Sequence, residues 1–217
     1  MKWVIAVLMI GVCAFSAEAL PKVSVKSGSI LFHPLHAKPY FVTHTGHDHD
    51  PTLSSDGKWI AFVRDIPSKK DTLSPSSAMV SEVANELWVI TTEGKNAQRL
   101  VTYGKNQAYS ISMIHHPQFF PNNQDIAFEA ALAVVEGGIY QVNRITHQLH
   151  LITTGNSLEV VPVGKYKNHL IVQRHKYFLA GGSYDWYWLI SPQGKEMDPI
   201  GEEDNVAMFK ELYCEAP

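Results

Sequence analysis

The sequence predicts an all-β fold: a small β-propeller of four-stranded antiparallel blades, about four of them, or an open arc of three to four. Three observations carry this. First, Pro51–Phe62, P-T-L-S-S-D-G-K-W-I-A-F, returns as Pro117–Phe128, P-Q-F-F-P-N-N-Q-D-I-A-F. Pro comes first in both, an apolar residue third, Asp or Asn sixth and Ile-Ala-Phe last. Second, a further strand-like run follows each copy, E-L-W-V-I-T-T-E-G-K-N-A-Q-R-L (Glu86–Leu100) and G-I-Y-Q-V-N-R-I-T-H-Q-L-H-L-I (Gly138–Ile152). Third, the apolar runs are short, rich in aromatic and β-branched residues, and bounded by turn residues. Repetition at this spacing marks a propeller or array, in which each unit buries its faces against its neighbours.

The elements follow in order. Ser29–Phe32 and Tyr40–Thr43 read as two strands separated by a proline-bearing turn. His44–Asp50 is a polar lead-in to the first inner strand. Asp56-Gly57 is a hairpin signal, read as a type I′ turn because both central residues of that turn need positive φ. Trp59–Val63 is then a buried second strand, Leu87–Ile90 a third closed by Glu93-Gly94, and Arg99-Leu100-Val101 a short outer strand. Asn122-Asn123 repeats the turn one blade later. A degraded third unit runs from Leu158 to Val172 with a Gly164-Lys165 turn. It continues through Trp186–Ile190, Gln193-Gly194-Lys195 and Pro199-Ile200. Val206–Tyr213 reads as one more strand or a short helix.

The two leftover terminal pieces suit a fourth blade built from both ends of the chain. Ring closure removes exposed strand edges that otherwise invite aggregation, which favours a compact four-blade ring. The alternative is an open arc completed by a partner or by self-association.

The segment S-S-D-G-K-W-I-A-F with E-L-W-V-I-T-T-E-G-K-N-A-Q-R-L resembles the repeat of TolB-like β-propellers. The family form is roughly P-x-x-S-P-D-G-x-x-I-A-F, then a strand like L-Y-V-M-D, then G-G-x-x-x-x-L-T. Ser55 stands where that family usually has Pro, and Asn122-Asn123 replaces Asp-Gly in the second unit. The resemblance covers about two thirds of the chain. It implies a propeller and is almost silent on function. Propellers of this type usually have more blades than this chain supplies. A related group, the oligogalacturonide lyases, binds a metal through His residues, but those ligands have no matching positions here.

Residues 1–19 carry the layout of a secretory signal: Lys2, an apolar run Trp3–Phe15, then Ala17-Glu18-Ala19. The expectation is export to the periplasm or beyond, with the propeller domain over residues 20–217 and no membrane span after cleavage. The charged fraction is 18% and the net charge −3. That balance lacks the basic footprint of a nucleic-acid binder. Of the two Cys residues only Cys214 lies outside the signal segment, so the mature chain holds no internal disulfide. The sequence carries no G-x-S-x-G nucleophile elbow.

Two segments stand outside the repeat. Ile66–Asn85 is a 20-residue excursion inside the first blade, long for such a connection. It reads as a partner- or ligand-covering flap or as a decorated surface loop. Asp71, Met79 and Val83 are its candidate contact residues, and Trp186 is a further one. In Tyr184–Trp188, alternation puts Trp186 and Trp188 on one face, and Trp88 matches Tyr140 and Tyr187, which favours inter-blade packing for this run. The other segment is H-T-G-H-D-H-D, His44–Asp50. Read as a strand, it points His47 and His49 to one face, and Asp48 and Asp50 to the other. His115 and His116 fall where the first repeat has His49 and Asp50. The candidate metal ligands are therefore His47, His49, Asp50 and His115, and the candidate cofactor is a divalent metal. The alternative for this cluster is a polar loop hydrogen-bonded to its own backbone. The function expected is an exported binding module with a protein partner in the envelope or extracellular space. The alternative is a metal-binding propeller that acts on or senses a carbohydrate or another small ligand.

Overall fold

The computed structural model describes residues 20–67, 84–106, 109–132 and 137–214. A three-stranded sheet comes first: β1 (Lys22–Lys26), β2 (Ser29–His33) and β3 (Tyr40–Phe41). Three antiparallel four-stranded sheets follow in chain order. Blade one is β4 (Asp48–Leu53), β5 (Trp59–Asp65), β6 (Asn85–Thr91) and β7 (Gln98–Val101). A small hairpin, β8 (Gly104–Asn106) with β9 (Tyr109–Ile111), leads to blade two. That blade is β10 (His115–Phe119), β11 (Asp125–Ala131), β12 (Gly137–Asn143) and β13 (Leu149–Thr154). Blade three is β14 (Ser157–Val160), β15 (Leu170–Tyr177), β16 (Ser183–Ile190) and β17 (Glu196–Gly201), and the helix α1 (Glu203–Tyr213) follows it.

The second strands of blades one and two carry the apolar runs Ile60–Val63 and Ile126–Phe128 because neighbouring sheets cover both of their faces. Ile60 and Phe62 pack toward the β1–β3 sheet with Ile30, Phe32 and Val42. Ala61 and Val63, the alternate residues, pack toward blade two with Ile126 and Phe128. A strand covered on both faces has no solvent side, so polar residues drop out of it. The next interface repeats the scheme: Ala127 and Ile139 meet Leu158, Val160, Leu170 and Val172 of blade three. Ile60, Phe62, Leu87, Val89, Ile126 and Phe128 are all fully buried.

The turns fall where the repeat puts them, but their type differs from I′. Gly57 has φ 69° and Asn123 φ 55°, whereas Asp56 and Asn122 are not in the left-handed region. The Gly57 N–H donates to Ser54 O and the Asn123 N–H to Phe120 O, both at 2.9 Å. One left-handed residue after an ordinary turn thus suffices, and Asn tolerates that position better than most side chains. The register pairs Trp88 with Phe62, Tyr140 with Phe128 and Trp188 with Val172. Trp188, and not Tyr187, is therefore the counterpart of Trp88.

The blade expected from both termini does not form. The N-terminal segment supplies its own third strand, β1, paired with β2 from Lys22↔His33 to Lys26↔Ser29. The C-terminal segment is helical, with Glu202 and Asn205 forming a reciprocal capping box. α1 lies against blade three on the face turned away from blade two. There Val206, Ala207 and Lys210 border Glu159, Ile171 and Tyr187, and Tyr166 stacks on Phe209 at 5.5 Å. Among the described residues no strand joins the first sheet to the third blade. The molecule is an open arc, and α1 covers the face on which a further blade would pack.

Candidate functional site

A bulge shapes the axial cluster. The β10–β11 register shifts between His115 and Gln118, and the β4–β5 register shifts at the matching place, between His49 and Thr52. The residue just before the repeat's Pro is left-handed in both blades, Asp50 and His116 each at φ 46°. A regular strand sends consecutive side chains to opposite faces; a bulge lifts that rule and re-aims them. His115 and His116 consequently reach the same carboxylate, Glu129. His115 Nε2 lies 3.3 Å from Glu129 Oε2, and His116 Nδ1 lies 3.2 Å from Oε1. One ligand atom from each of these three residues lies within 4.8 Å of the others. Glu129 is buried at 4% exposure on the central strand β11.

The counterpart in blade one sits alongside. His49 Nδ1 is 3.6 Å from Asp50 Oδ2, and His49 Nε2 is 3.0 Å from Asp65 Oδ1. The two blades touch where the His116 backbone N–H donates to Asp50 Oδ2 at 3.4 Å. Hydrogen bonding to Asp50 holds the His49 imidazole above its ordinary value, against partial burial, with Asp65 adding to the rise. The same contact lowers Asp50. The hydrogen bond to Glu129 raises His115 in the same way.

Of the sequence candidates, His49, Asp50 and His115 thus lie in this linked group. His47 does not: it is exposed, and its carbonyl extends the β4–β5 ladder, accepting the Asp65 N–H at 2.9 Å. Asp48 does not share a face with Asp50 as alternation predicts. It is fully buried and takes a two-pronged contact from Arg64, at 2.5 and 3.1 Å. Sequence reasoning missed His116 and Glu129 as site residues. A signal existed: Glu129 interrupts the buried run Ile126–Ala130 where the first repeat has Val63.

A second feature stands on blade three. Its central hairpin, β15–β16, has eight-residue strands against seven in the other blades. The tip is apolar and uncovered: Tyr177 is 76% exposed, Phe178 52%, and Leu179 as open as in an isolated peptide. Phe178, Tyr184 and Trp186 form a ladder of rings with centroids 4.6 and 4.9 Å apart. Trp188 continues that face into the core between blades two and three. Trp186 is therefore an outer rung of the ladder, half-buried, rather than an inter-blade wedge. Asp71, Met79 and Val83 lie outside the described residues.

The fold is similar to the β-propeller domain of the Trilobed protease from Pyrococcus furiosus, at 14% identity and a TM-score of 0.54, over 84% of this chain and 53% of that one. It is similar also to an oligogalacturonate lyase in complex with manganese, at 14% identity and a TM-score of 0.52, over 81% of this chain and 42% of that one. TolB from Acinetobacter baumannii aligns at 16% identity and a TM-score of 0.48, over 81% of this chain and 37% of that one. The chain spans about half or less of the length of these proteins. No family model matches the chain, and no curated protein matches it. At these identities the likeness is one of fold alone, and the fold is that of an unclosed β-propeller.

Proposed function

We propose that the chain is an exported β-propeller binding module whose partner is another protein of the periplasm, the cell surface or the extracellular space. The observation that carries this reading is the blade-three hairpin. Three consecutive large side chains, Tyr177, Phe178 and Leu179, stand open to solvent on it. Aromatic side chains that are already ordered make strong interface anchors, because they bury much area and lose little entropy. Ring contacts along the hairpin supply that order. Export is supported by the layout of residues 1–19. Among the described residues no helix is long and apolar enough to cross a membrane.

The test is the native size of the protein in envelope extracts of its own cells against its size when purified. The reading expects a larger complex in extract, and expects the variant Y177S/F178S/L179S to run at the purified size. Equal sizes for wild type and variant in extract contradict it. A second reading, a metal-binding propeller that senses or acts on a carbohydrate or another small ligand, is favoured by the convergence of His115 and His116 on Glu129.

A further inference from the structure

We propose that His115, His116 and Glu129 form a binding site for one divalent transition-metal ion of the zinc class. This deepens the second reading above and is independent of the protein-partner reading.

His115 Nδ1 lies 2.7 Å from Met113 O. A carbonyl only accepts, so Nδ1 carries the hydrogen and a neutral His115 has its lone pair on Nε2. That atom faces Glu129 Oε2 at 3.3 Å. A lone pair opposite a carboxylate is stable only with a cation between them, either a proton or a metal ion. The backbone contact at Nδ1 is also the arrangement that orients a ligating imidazole and fixes its tautomer. Glu129 is buried, and His115 and His116 are its ion-pair partners. In these contacts its charge faces two imidazoles.

Distances agree. A tetrahedral ion with ligands at about 2.0–2.1 Å has donor–donor edges of roughly 3.4 Å. The two edges to Glu129 are 3.3 and 3.2 Å. The third, between the imidazoles, is bounded at 4.8 Å and closes toward the tetrahedral edge as the exposed His116 ring moves in on the ion. His116 is 63% exposed at its side chain and His115 43%, so an ion reaches the site from solvent and His116 is free to adjust. Two imidazoles and one carboxylate suit zinc and its first-row neighbours better than calcium or magnesium, which take oxygen shells. Three protein donors leave a position open to water or a small ligand. The site also has its own structural device, since without the bulge and the left-handed His116 the two imidazoles would point apart.

The test uses the full chain, purified without a histidine tag, stripped with chelator and titrated with Co²⁺, then with Zn²⁺ in competition. We expect one equivalent of Co²⁺ per chain, with the intense visible bands of four- or five-coordinate cobalt, displaced by Zn²⁺. H115A and H116A should each weaken binding by about tenfold or more, and H47A should leave it unchanged. E129Q should weaken binding in the same way, and H116A, which alters an exposed side chain, carries the test where E129Q fails to fold. Absence of stoichiometric Co²⁺ binding overturns the proposal. So does binding that H116A leaves intact or that H47A abolishes.

Discussion

Replacing Phe128 by Ala should destabilise the protein by about 3–5 kcal/mol. Phe128 is fully buried between blades one and two. Its ring stacks on Tyr140 with centroids 5.6 Å apart and planes at 17°. A buried Phe removes about 200 Å² from water, which at about 25 cal/mol per Å² is about 5 kcal/mol gross. Ala retains a fraction of that, and the loss of the ring pair adds about 0.5–1.5 kcal/mol. The walls cannot close on the cavity, because Ile126, Ala130 and Val142 around it belong to hydrogen-bonded strands. For a chain of this size each kcal/mol lowers Tm by about 2–4 °C, so the expected fall is about 6–20 °C. Thermal and urea unfolding followed by circular dichroism measure it. The control is Leu179→Ala on the exposed hairpin tip, expected within about 0.5 kcal/mol of wild type because Leu179 is fully open to solvent. Equal effects of the two substitutions would refute the assignment of Phe128 to the inter-blade core.

Gly57→Val should cost about 1 kcal/mol or more, read by urea unfolding, because Gly57 sits at φ 69° and a β-branched residue resists that region. Arg64→Ala should cost about 3–5 kcal/mol, because it strands the fully buried Asp48 carboxylate; the double replacement Asp48→Leu with Arg64→Met should recover most of that loss. In metal-free protein, His49 and His115 have folded-state pKa values raised above the usual 6.5. Their contribution to stability is therefore fully present below about pH 6.5 and is lost as pH rises through the raised values. Unfolding measured from pH 5 to 9 should show this decline, and H49Q with H115Q should flatten it; a steeper decline in the double variant would contradict the ion-pair assignment.

The parts of the fold that the sequence shows are those where one rule acts alone. Trp59–Val63 and Ile126–Phe128 lie between two neighbouring sheets, so they are apolar at every position and stand out without any knowledge of register. Gly57 and Asn123 mark turns because few residues tolerate their φ. Where two rules compete, the sequence is less legible. Lys22–Lys26 pairs with β2, yet its only large apolar residues, Val23 half-buried and Val25 exposed, stand between two lysines and a serine and give a weak signal. Glu203–Tyr213 contains no buried residue, so its periodicity does not separate a helix from a strand. The site shows the effect most clearly. Strand alternation predicts that Asp48 and Asp50 share a face and that His115 and His116 do not. The bulges reverse both, and bulges arise from pairing with a partner strand far along the chain. The repeat itself does survive in three dimensions: His49-Asp50 and His115-His116 occupy matching bulges, with the same φ at the second residue.

The binding-module account rests most directly on whether the blade-three hairpin touches another protein in the cell. Site-specific photo-crosslinking from position 179, with position 95 on the exposed turn of blade one as the control, measures this. The account predicts one discrete crosslinked protein from position 179, absent from position 95 and lost when Phe178 is changed to Ser. Crosslinking that is equal from both positions, or that goes to lipid alone, would contradict it.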